Sequence, residues 1–221
     1  MSAAGGAQTL QIPGPAGPLE ALLEMPVGAA PVLAAIVCHP HPLFGGTLHN
    51  KVVHTVAKLL RQRGAVSLRF NFRGVGASAG VHDGGAGEGE DALAAVAAVR
   101  ERWPQLPLVL AGFSFGAAVA IAVAARAQPA WLISVAPAVD RVPLDDFLAP
   151  ACPWLIVQGE ADEVVSCEQV RAWRAARASS ATLCLLPGVG HFFHGRLHEL
   201  QDCLVAHWPA GLARHAGPLK T

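Results

Sequence analysis

Ser114 lies between two glycines in the stretch Gly112-Phe113-Ser114-Phe115-Gly116. An apolar run at 106–111 precedes this stretch and predicts a strand, and a small-residue run at 117–127 follows it and predicts a helix. A Gly-x-Ser-x-Gly pattern on a sharp strand-to-helix turn lifts the serine hydroxyl to the end of a sheet, and glycine tolerates the tight backbone there. We therefore predict that Ser114 is a nucleophile.

An attacking serine needs a base within hydrogen-bond reach and a carboxylate that orients this base. His191 and Asp162 each follow a predicted strand of the second half of the chain, so all three side chains are expected at the carboxyl ends of strands, where open α/β sheets form their sites. Glu160 competes with Asp162 for the role of the acid. His194 competes less well with His191, because Phe192-Phe193-His194 leads into a predicted helix. The sequence thus predicts a triad of Ser114, Asp162 and His191.

Acyl transfer also requires N–H donors for an oxyanion. The first predicted donor is the N–H of Phe115, the residue after the nucleophile, and the second is expected from the loop 39–46, His-Pro-His-Pro-Leu-Phe-Gly-Gly. The two prolines of this loop have no N–H to give. His41 is therefore the preferred second donor and Leu43 the alternative. Three apolar side chains either contact the substrate or pack in the core: Leu43, Phe44 and Phe113.

Neither a metal nor an organic cofactor is predicted. Histidines at positions 39, 41, 49 and 54 are accompanied by no carboxylate or thiolate at ligand spacing except Cys38, and no His-Glu-x-x-His motif is present. His39 is expected instead to organise the loop that follows its strand. The glycines of 74–80 resemble a dinucleotide-binding loop, but no helix is predicted to start at the last of them, so a tight turn is favoured.

Strands and helices are predicted to alternate along the chain, which is typical of the α/β class. The apolar runs are mostly continuous rather than alternating, as in parallel strands buried on both faces. The predicted strands are 19–25, 32–38, 65–72, 106–111, 131–136, 153–158 and 181–186, and the predicted helices are 47–63, 88–102, 116–127, 166–178 and 197–208. The connection 137–152 is too short for a helical lid, so we expect an open site that favours short acyl groups.

The composition predicts one compact, soluble domain over residues 1–221. Hydrophobic residues make up 52% of the chain and charged residues 14%, which favours a large buried core. Sixteen basic and sixteen acidic residues cancel, so neither nucleic acid nor an anionic membrane is an expected partner. Residues 1–6 show no secretory signal and no apolar run has the length of a membrane span, so a cytoplasmic location is expected. Nothing in the sequence indicates an oligomeric state.

The five cysteines are an odd number, and none forms a Cys-x-x-Cys pair. This argues against a disulfide framework and against a cysteine zinc site. Cys38 and Cys184 lie inside apolar runs and are predicted to be small buried hydrophobic residues.

Four segments together resemble the α/β-hydrolase superfamily, in particular its small lidless bacterial esterase-like members. They are the loop 39–46, the segment 69–78 (Arg-Phe-Asn-Phe-Arg-Gly-Val-Gly-Ala-Ser), the Ser114 turn, and Gly159-Glu160-Ala161-Asp162 with Gly190-His191-Phe192-Phe193. The resemblance runs from about residue 19 to residue 208 and implies a mostly parallel eight-stranded sheet with helices on both faces, no cap domain, and the triad given above.

The resemblance implies a serine hydrolase, and we predict a carboxylesterase acting on small-molecule esters. Many relatives carry His-Gly where this chain has His39-Pro40, so the resemblance leaves the choice between His41 and Leu43 open. The superfamily also contains thioesterases, peptidases, lipases and cofactor-free peroxidases, and fold alone does not choose among activities. The alternatives are a thioesterase, a peptidase, and a binding protein with an inactive site.

Overall fold

The computed structural model describes residues 6–26, 28–144 and 147–215, and in these residues eight strands form one sheet. The strand order is β1-β2-β4-β3-β5-β6-β7-β8. The strands are β1 (Ala7–Ile12), β2 (Leu19–Glu24), β3 (Leu33–Cys38), β4 (Ala65–Phe70), β5 (Leu108–Phe113), β6 (Trp131–Val135), β7 (Trp154–Gly159) and β8 (Thr182–Leu186). The predicted mostly parallel, eight-stranded α/β architecture is confirmed.

The six strands from β3 to β8 pair in parallel, whereas β1 and β2 run antiparallel to their neighbours. Every residue of β3, β4, β5, β6 and β7 is buried, which explains why these strands were readable as continuous apolar runs. β1 was not among the strands predicted from apolar runs. It is an edge strand that is largely exposed, and its sequence AQTLQI carries little apolar signal.

Five helices cover the two faces of the sheet within the described residues. They are α1 (Lys51–Gln62), α2 (Ala86–Arg102), α3 (Phe115–Ala127), α4 (Cys167–Arg177) and α5 (Leu197–Ala206). The buried side chains of α1 and α5 belong to one core, and those of α2, α3 and α4 belong to a second core on the opposite face. All five predicted helices are present, with ends shifted by up to four residues.

The shift at the start of α1 has a local cause. Residues 47–50 were predicted to be helical, but Asn50 is the N-cap, and its Oδ1 accepts hydrogen bonds from the N–H groups of Val52 and Val53. The predicted cap at Ser166 is confirmed, since its Oγ accepts from the N–H of Gln169 at 3.3 Å. Gly64, at φ 100°, follows the end of α1 as expected.

The connection between β6 and β7 contains no helix in its described residues, 136–144 and 147–153. The edge of the sheet above β5, β6 and β7 therefore carries no cap domain, as predicted. No helix among the described residues combines the length and the apolar character needed to cross a bilayer. The absence of a secretory signal was predicted from residues 1–6, of which residues 1–5 lie outside the described residues. The cytoplasmic location and the single-domain assignment stay predictions.

Cys184 and Cys203 are joined by a disulfide bond, which corrects the expectation that Cys184 is only a small buried hydrophobic residue. Cys184 lies on the edge strand β8, and α5 folds back onto this part of the sheet with Cys203 on its inner side. The two cysteines are 19 residues apart and belong to no sequence motif, because only the packing of α5 brings them together. Cys38 is buried as a free thiol, as predicted.

Candidate active site

The chain turns sharply at Ser114, between the last residue of β5 and the first residue of α3. Ser114 has φ 56° and ψ −118°, a strained backbone conformation for a residue with a side chain. A Cβ on Gly112 would overlap the backbone of Gly116, and a Cβ on Gly116 would overlap the carbonyl groups of Cys38 and His39. The two glycines are thus required by close approach of backbone to backbone, and they place the Ser114 hydroxyl at the carboxyl end of the sheet.

His191 connects Ser114 to Asp162 through both of its ring nitrogens. Its Nε2 lies 3.1 Å from Ser114 Oγ, and its Nδ1 lies 2.8 Å from Asp162 Oδ2. An ionised carboxylate only accepts hydrogen bonds, so Nδ1 carries the ring proton and Nε2 is left to accept from the serine hydroxyl. Ser114 is 7% exposed and His191 is 2% exposed. The structure brings the three predicted residues together in one hydrogen-bonded chain.

Asp162 is held as a carboxylate by donors on both of its oxygens. Oδ1 accepts from the N–H groups of Val164 and Val165 at 2.9 and 2.7 Å, and Oδ2 accepts from His191 and from Gln158 Nε2, the latter at 3.0 Å. Burial alone would raise the pKa of Asp162, but the hydrogen bonds from His191 and the two backbone N–H groups hold it below its ordinary value. The acid is therefore ionised at neutral pH and fixes the histidine.

The two competing residues lie elsewhere. Glu160 forms an ion pair with Arg171 at 2.6 Å and does not contact His191. His194 is exposed, and its ring packs against Phe192. Glu163 was not predicted: its Oε2 accepts from the backbone N–H of His191 at 3.2 Å and so helps to hold the loop that carries the histidine.

Two N–H groups near Ser114 are available for an oxyanion. Phe115 is the first residue of α3, so its N–H has no intrahelical acceptor, and its hydrogen lies at the positive end of the helix dipole. Neither this N–H nor that of His41 donates a hydrogen bond to any residue that the structure describes. The N–H of Leu43, the alternative donor, is already engaged with His41 Nδ1 at 3.2 Å. The geometry therefore favours His41 over Leu43.

The His41 side chain lies within a cluster of rings that sequence reasoning missed. It packs against Phe44, His82 and Phe115 at centroid distances of 4.8, 4.9 and 4.9 Å. Partial burial, with the nearby charges of His82 and Arg141, lowers the pKa of His41. His82 gave no sequence signal because it follows a glycine-rich loop, and only the fold brings this loop against His41.

His82 is itself held by a buried carboxylate at the start of α2. Glu88 Oε1 lies 2.8 Å from His82 Nδ1 and accepts from the N–H of Asp83, and Oε2 accepts from the N–H of Gly85. Burial alone would raise the pKa of Glu88, but the backbone donors keep it below its ordinary value. The loop before α2 is thereby fixed next to the His41 loop.

His39 organises its loop, as predicted. Its Nε2 accepts from the N–H of Phe72 at 3.0 Å, so its Nδ1 carries the proton and donates to the carbonyl of Pro40 at 2.6 Å. The side chain is fully buried. Burial lowers its pKa to about 4, so the ring is neutral at physiological pH and joins the ends of β3 and β4.

An open cavity of about 430 Å³ lies above Ser114 and His191. Its other lining residues are Pro40, His41, Phe44, Gly45, Gly46, Asn50, Arg141, Val164 and Phe192. Three of them are large apolar side chains exposed to solvent, namely Phe44, Val164 and Phe192. The cavity thus offers apolar surface beside the hydroxyl, which suits the hydrocarbon part of a small substrate.

Of the three apolar residues predicted to contact substrate or to pack, only Phe44 lines this cavity. Leu43 is 70% exposed and lies outside the lining. Phe113 is 1% exposed, and its ring lies 4.9 Å from the His191 ring, because its strand position directs it into the core below the site. Its side chain therefore packs beneath the histidine and does not reach the acyl group. Val164, Phe192, Asn50 and Arg141 were not predicted.

The four histidines of 39–54 do not converge on one point. Within the residues that the structure describes, the one group of side chains that satisfies metal-ligand spacing is Cys184, Cys203 and His207. Its two sulfur atoms form the disulfide described above. The segment 74–80 forms turns, and α2 begins only at Ala86, so no helix N-terminus follows its last glycine.

The fold and the site are those of an α/β serine hydrolase without a cap. A family model described as serine aminopeptidase, S33, matches residues 34–150, more than half of the chain, and the chain belongs to this family of α/β serine hydrolases. A structure of an α/β serine hydrolase homologue from Coxiella burnetii is 46% identical, covers 94% of this chain and 100% of its own, and superposes with a TM-score of 0.88.

Two further relatives are similar over most of the chain. A crystal structure from Xanthomonas campestris, described as an α/β serine hydrolase without a lid, is 41% identical, covers 96% of this chain and 97% of its own, and has a TM-score of 0.87. An uncharacterised protein from Rickettsia prowazekii is 38% identical over 181 residues, which are 77% of this chain and 76% of that protein.

Proposed function

We propose that this chain is a serine carboxylesterase that hydrolyses small esters through an acyl-enzyme intermediate. The observation that carries the proposal is the continuous hydrogen-bonded chain from Ser114 Oγ through His191 to Asp162 at the floor of an open cavity. Each atom needed for acyl transfer has a candidate in this arrangement, from the nucleophile to the oxyanion donors.

In the first half of the reaction, Ser114 Oγ attacks the ester carbonyl carbon while its proton passes to His191 Nε2. Asp162 stabilises the imidazolium that results, because its Oδ2 accepts from Nδ1. The carbonyl oxygen becomes an oxyanion, which the N–H groups of Phe115 and His41 stabilise. The tetrahedral intermediate collapses, the bond to the alcohol oxygen breaks, and His191 Nε2 returns its proton to the leaving alcohol.

In the second half, a water molecule attacks the acyl carbon bound to Ser114. His191 Nε2 takes a proton from this water, and the oxyanion forms again at the same donors. When the bond to Ser114 Oγ breaks, the proton returns to the serine and the carboxylic acid leaves. The two halves use the same groups in the same positions, so the enzyme is regenerated and the net reaction converts one ester and one water molecule into an acid and an alcohol.

The open cavity suits small substrates with short acyl groups. No helix covers it among the described residues, and its apolar rim consists of isolated side chains rather than a deep tunnel. A long acyl chain would leave most of its length in water and gain little binding free energy beyond the first carbon atoms. We therefore expect kcat/KM to level off or fall as the acyl chain lengthens.

The family description favours a peptidase as a second candidate. An aminopeptidase must bind a protonated α-amine, for which a carboxylate next to the nucleophile is the ordinary partner. The residues that line the described cavity include no carboxylate, and they include the cation of Arg141. This charge distribution supports an ester over a substrate with a free N-terminus. A thioester remains chemically close to an ester and is separated from it by the experiment below.

The test compares three substrates that share a butyryl group: p-nitrophenyl butyrate, a butyryl thioester and butyryl p-nitroanilide. We expect the ester to have the highest kcat/KM, with turnover lost in Ser114→Ala and kept in the control Ser180→Ala, whose serine is exposed and distant from the site. A preference for the thioester or the anilide would replace the esterase proposal by one of the alternatives. Ser114-independent turnover would overturn the hydrolase mechanism.

A further inference from the structure

The candidate active site contains a cation that acyl transfer itself does not use. Arg141 lines the cavity together with Ser114, His41 and His191. Among the described residues, no carboxylate lies within ion-pair distance of its guanidinium. Other arginines form ion pairs with acidic side chains, namely Arg61, Arg69, Arg73, Arg126, Arg171 and Arg196. The exposed guanidinium therefore keeps its five N–H donors for another partner.

The backbone fixes Arg141 relative to the nucleophile. The N–H of Ala138 donates to the carbonyl of Ser114 at 3.2 Å, and the N–H of Arg141 donates to the carbonyl of Ala138 at 3.1 Å. The next residue, Val142, is 6% exposed and packs beside Gly85. Two backbone hydrogen bonds and the buried Val142 thus fix the backbone of Arg141 relative to the reacting serine, and the exposed side chain extends from this fixed position.

No carboxylate of the described residues lines the cavity beside Arg141. Asp162 is ionised, but its two oxygens are engaged by four hydrogen-bond donors, one of which is His191 Nδ1, and Glu163 accepts from the His191 backbone. Glu88 is buried against His82. The adjacent Asp140 does not line this cavity, although both Asp140 and Arg141 line a neighbouring one. Arg141 is therefore the one residue of the Arg, Lys, Asp and Glu types among the described residues that line the cavity, and the same guanidinium contributes to the lowered pKa of His41.

We propose that Arg141 forms a carboxylate-binding subsite and that the substrates of this enzyme are esters carrying a carboxylate a few bonds from the scissile carbonyl. This inference rests on the proposed esterase function and adds a substrate class to it. A planar guanidinium binds a carboxylate through two parallel hydrogen bonds, which gives orientation as well as affinity. The apolar part of such a substrate packs against Phe44, Val164 and Phe192, and the charge is directed towards Arg141.

The carboxylate can lie on the acyl side or on the alcohol side of the ester, and two probes separate these cases. The p-nitrophenyl monoester of glutaric acid carries the charge on the acyl group, and p-nitrophenyl butyrate is its neutral match. 4-Acetoxybenzoate carries the charge on the leaving group, and phenyl acetate is its neutral match. The quantity to compare is the ratio of kcat/KM for the charged ester over that for its neutral match.

We expect this ratio to fall about 10-fold or more in Arg141→Gln for one of the two pairs, to be partly restored in Arg141→Lys, and to fall with added salt in the wild type. The matched control is Arg102→Gln, since Arg102 is exposed on α2 and packs over Trp103, away from the cavity. This control is expected to keep the wild-type ratio. Ratios that are the same in wild type and Arg141→Gln for both pairs would overturn the subsite.

A binding measurement separates failure of the subsite from failure of the esterase proposal. In calorimetry, Ser114→Ala is titrated with two matched pairs, monoethyl glutarate against ethyl butyrate and 4-acetoxybenzoate against phenyl acetate. In one of the pairs the anionic ester is expected to bind about 10-fold more tightly. The double variant Ser114→Ala with Arg141→Gln should lose this difference. If no ester is turned over by the wild type, the hydrolase proposal fails while the calorimetry still decides the subsite. Equal binding of the anionic and the neutral ester to Ser114→Ala in both pairs would overturn the subsite alone.

Discussion

Gln158 Nε2 lies 3.0 Å from Asp162 Oδ2, the same oxygen atom that lies 2.8 Å from His191 Nδ1. Gln158 is fully buried at the end of β7, and its Nε2 also lies 3.1 Å from the carbonyl of Val165. Its Oε1 is buried without a partner among the described residues. The side chain therefore stabilises the acid and the turn that carries it. Its unpaired Oε1 is energetically unfavourable and offsets part of this stabilisation.

Replacing Gln158 by Met should test this positioning role, because methionine is similar in length and removes the amide donor. We expect kcat for p-nitrophenyl butyrate to fall about 10-fold, since a hydrogen bond to a charged group contributes about 1.5 kcal/mol. KM is expected to change much less, because Gln158 does not line the cavity. The control is Gln169→Leu on the exposed face of α4. Equal kcat values for Gln158→Met and the control would show that the contact has no influence on the acid.

Gly116 is predicted to be intolerant of any side chain. A Cβ at this position would overlap the carbonyl groups of Cys38 and His39, which are backbone atoms that cannot rotate away. We expect Gly116→Ala to lower the free energy of unfolding by about 3 kcal/mol, as for an overpacked core. The matched control is Gly89→Ala in α2, where the added Cβ meets only Val123 Cγ1 at 3.1 Å and alanine favours the helix. Urea unfolding of both variants decides, and equal midpoints would contradict the elbow geometry.

The protonation of His39 should couple stability to pH. Its pKa is about 4 in the folded protein, below the ordinary value of 6.5. Between these two values the unfolded chain binds a proton at His39 and the folded protein does not. The stability it contributes is present above pH 6.5 and is lost as the pH falls towards 4. Between pH 7 and pH 5 this one group is expected to lower the free energy of unfolding by about 2 kcal/mol.

Nuclear magnetic resonance of the histidine rings checks this assignment directly. The His39 ring is expected to stay neutral down to about pH 5. The unfolding free energy of His39→Gln should depend less on pH over the same range than that of the wild type. A His39 ring that titrates at its ordinary pKa in the folded protein would contradict the prediction.

The Cys184–Cys203 disulfide is expected to stabilise the fold. It closes a loop of 19 residues between β8 and α5, a loop that contains His191, and the chain-entropy model gives about 3 kcal/mol for such a loop. Reduction should therefore lower the Tm of the wild type, while Cys203→Ser should start from the lower Tm and not respond to a reductant. Cys167→Ser, which removes a free thiol, is the control and should respond as the wild type does.

A thiol count tests the same bond chemically. The denatured, unreduced protein should show the three thiols of Cys38, Cys152 and Cys167, and the reduced protein should show all 5 cysteines. Five reactive thiols before reduction would show that the bond is absent.

The central sheet and the three residues of the triad could be predicted because their signals are local. Ser114 directly follows an apolar strand, Asp162 and His191 lie in the loops just after two others, and the carboxyl ends of parallel strands meet at one edge of a sheet. Continuous apolar runs located β2 to β8, whereas the exposed edge strand β1 had too little apolar character to be recognised.

The remaining parts of the site depend on contacts between segments that are distant in sequence. Arg141 reaches the cavity only because the loop after β6 is tied to the Ser114 carbonyl, and His82 meets His41 only because α2 packs beside α3. Cys184 and Cys203 pair because α5 folds back onto β8. Phe113 illustrates the opposite error. Its position next to Ser114 in the sequence suggested a contact with substrate, but its side chain is buried below the site and does not enter the cavity.

Covalent labelling of Ser114 is the most direct test of the proposed mechanism. Wild type and Ser114→Ala are treated with a fluorophosphonate, their intact masses are recorded, and the pre-steady-state release of p-nitrophenol from p-nitrophenyl butyrate is followed in parallel. The mechanism predicts one adduct on the wild type and none on Ser114→Ala, with a burst close to one equivalent of p-nitrophenol if deacylation is the slower half. An adduct that persists in Ser114→Ala, or a wild type that forms none, would contradict the assignment of Ser114 as the nucleophile.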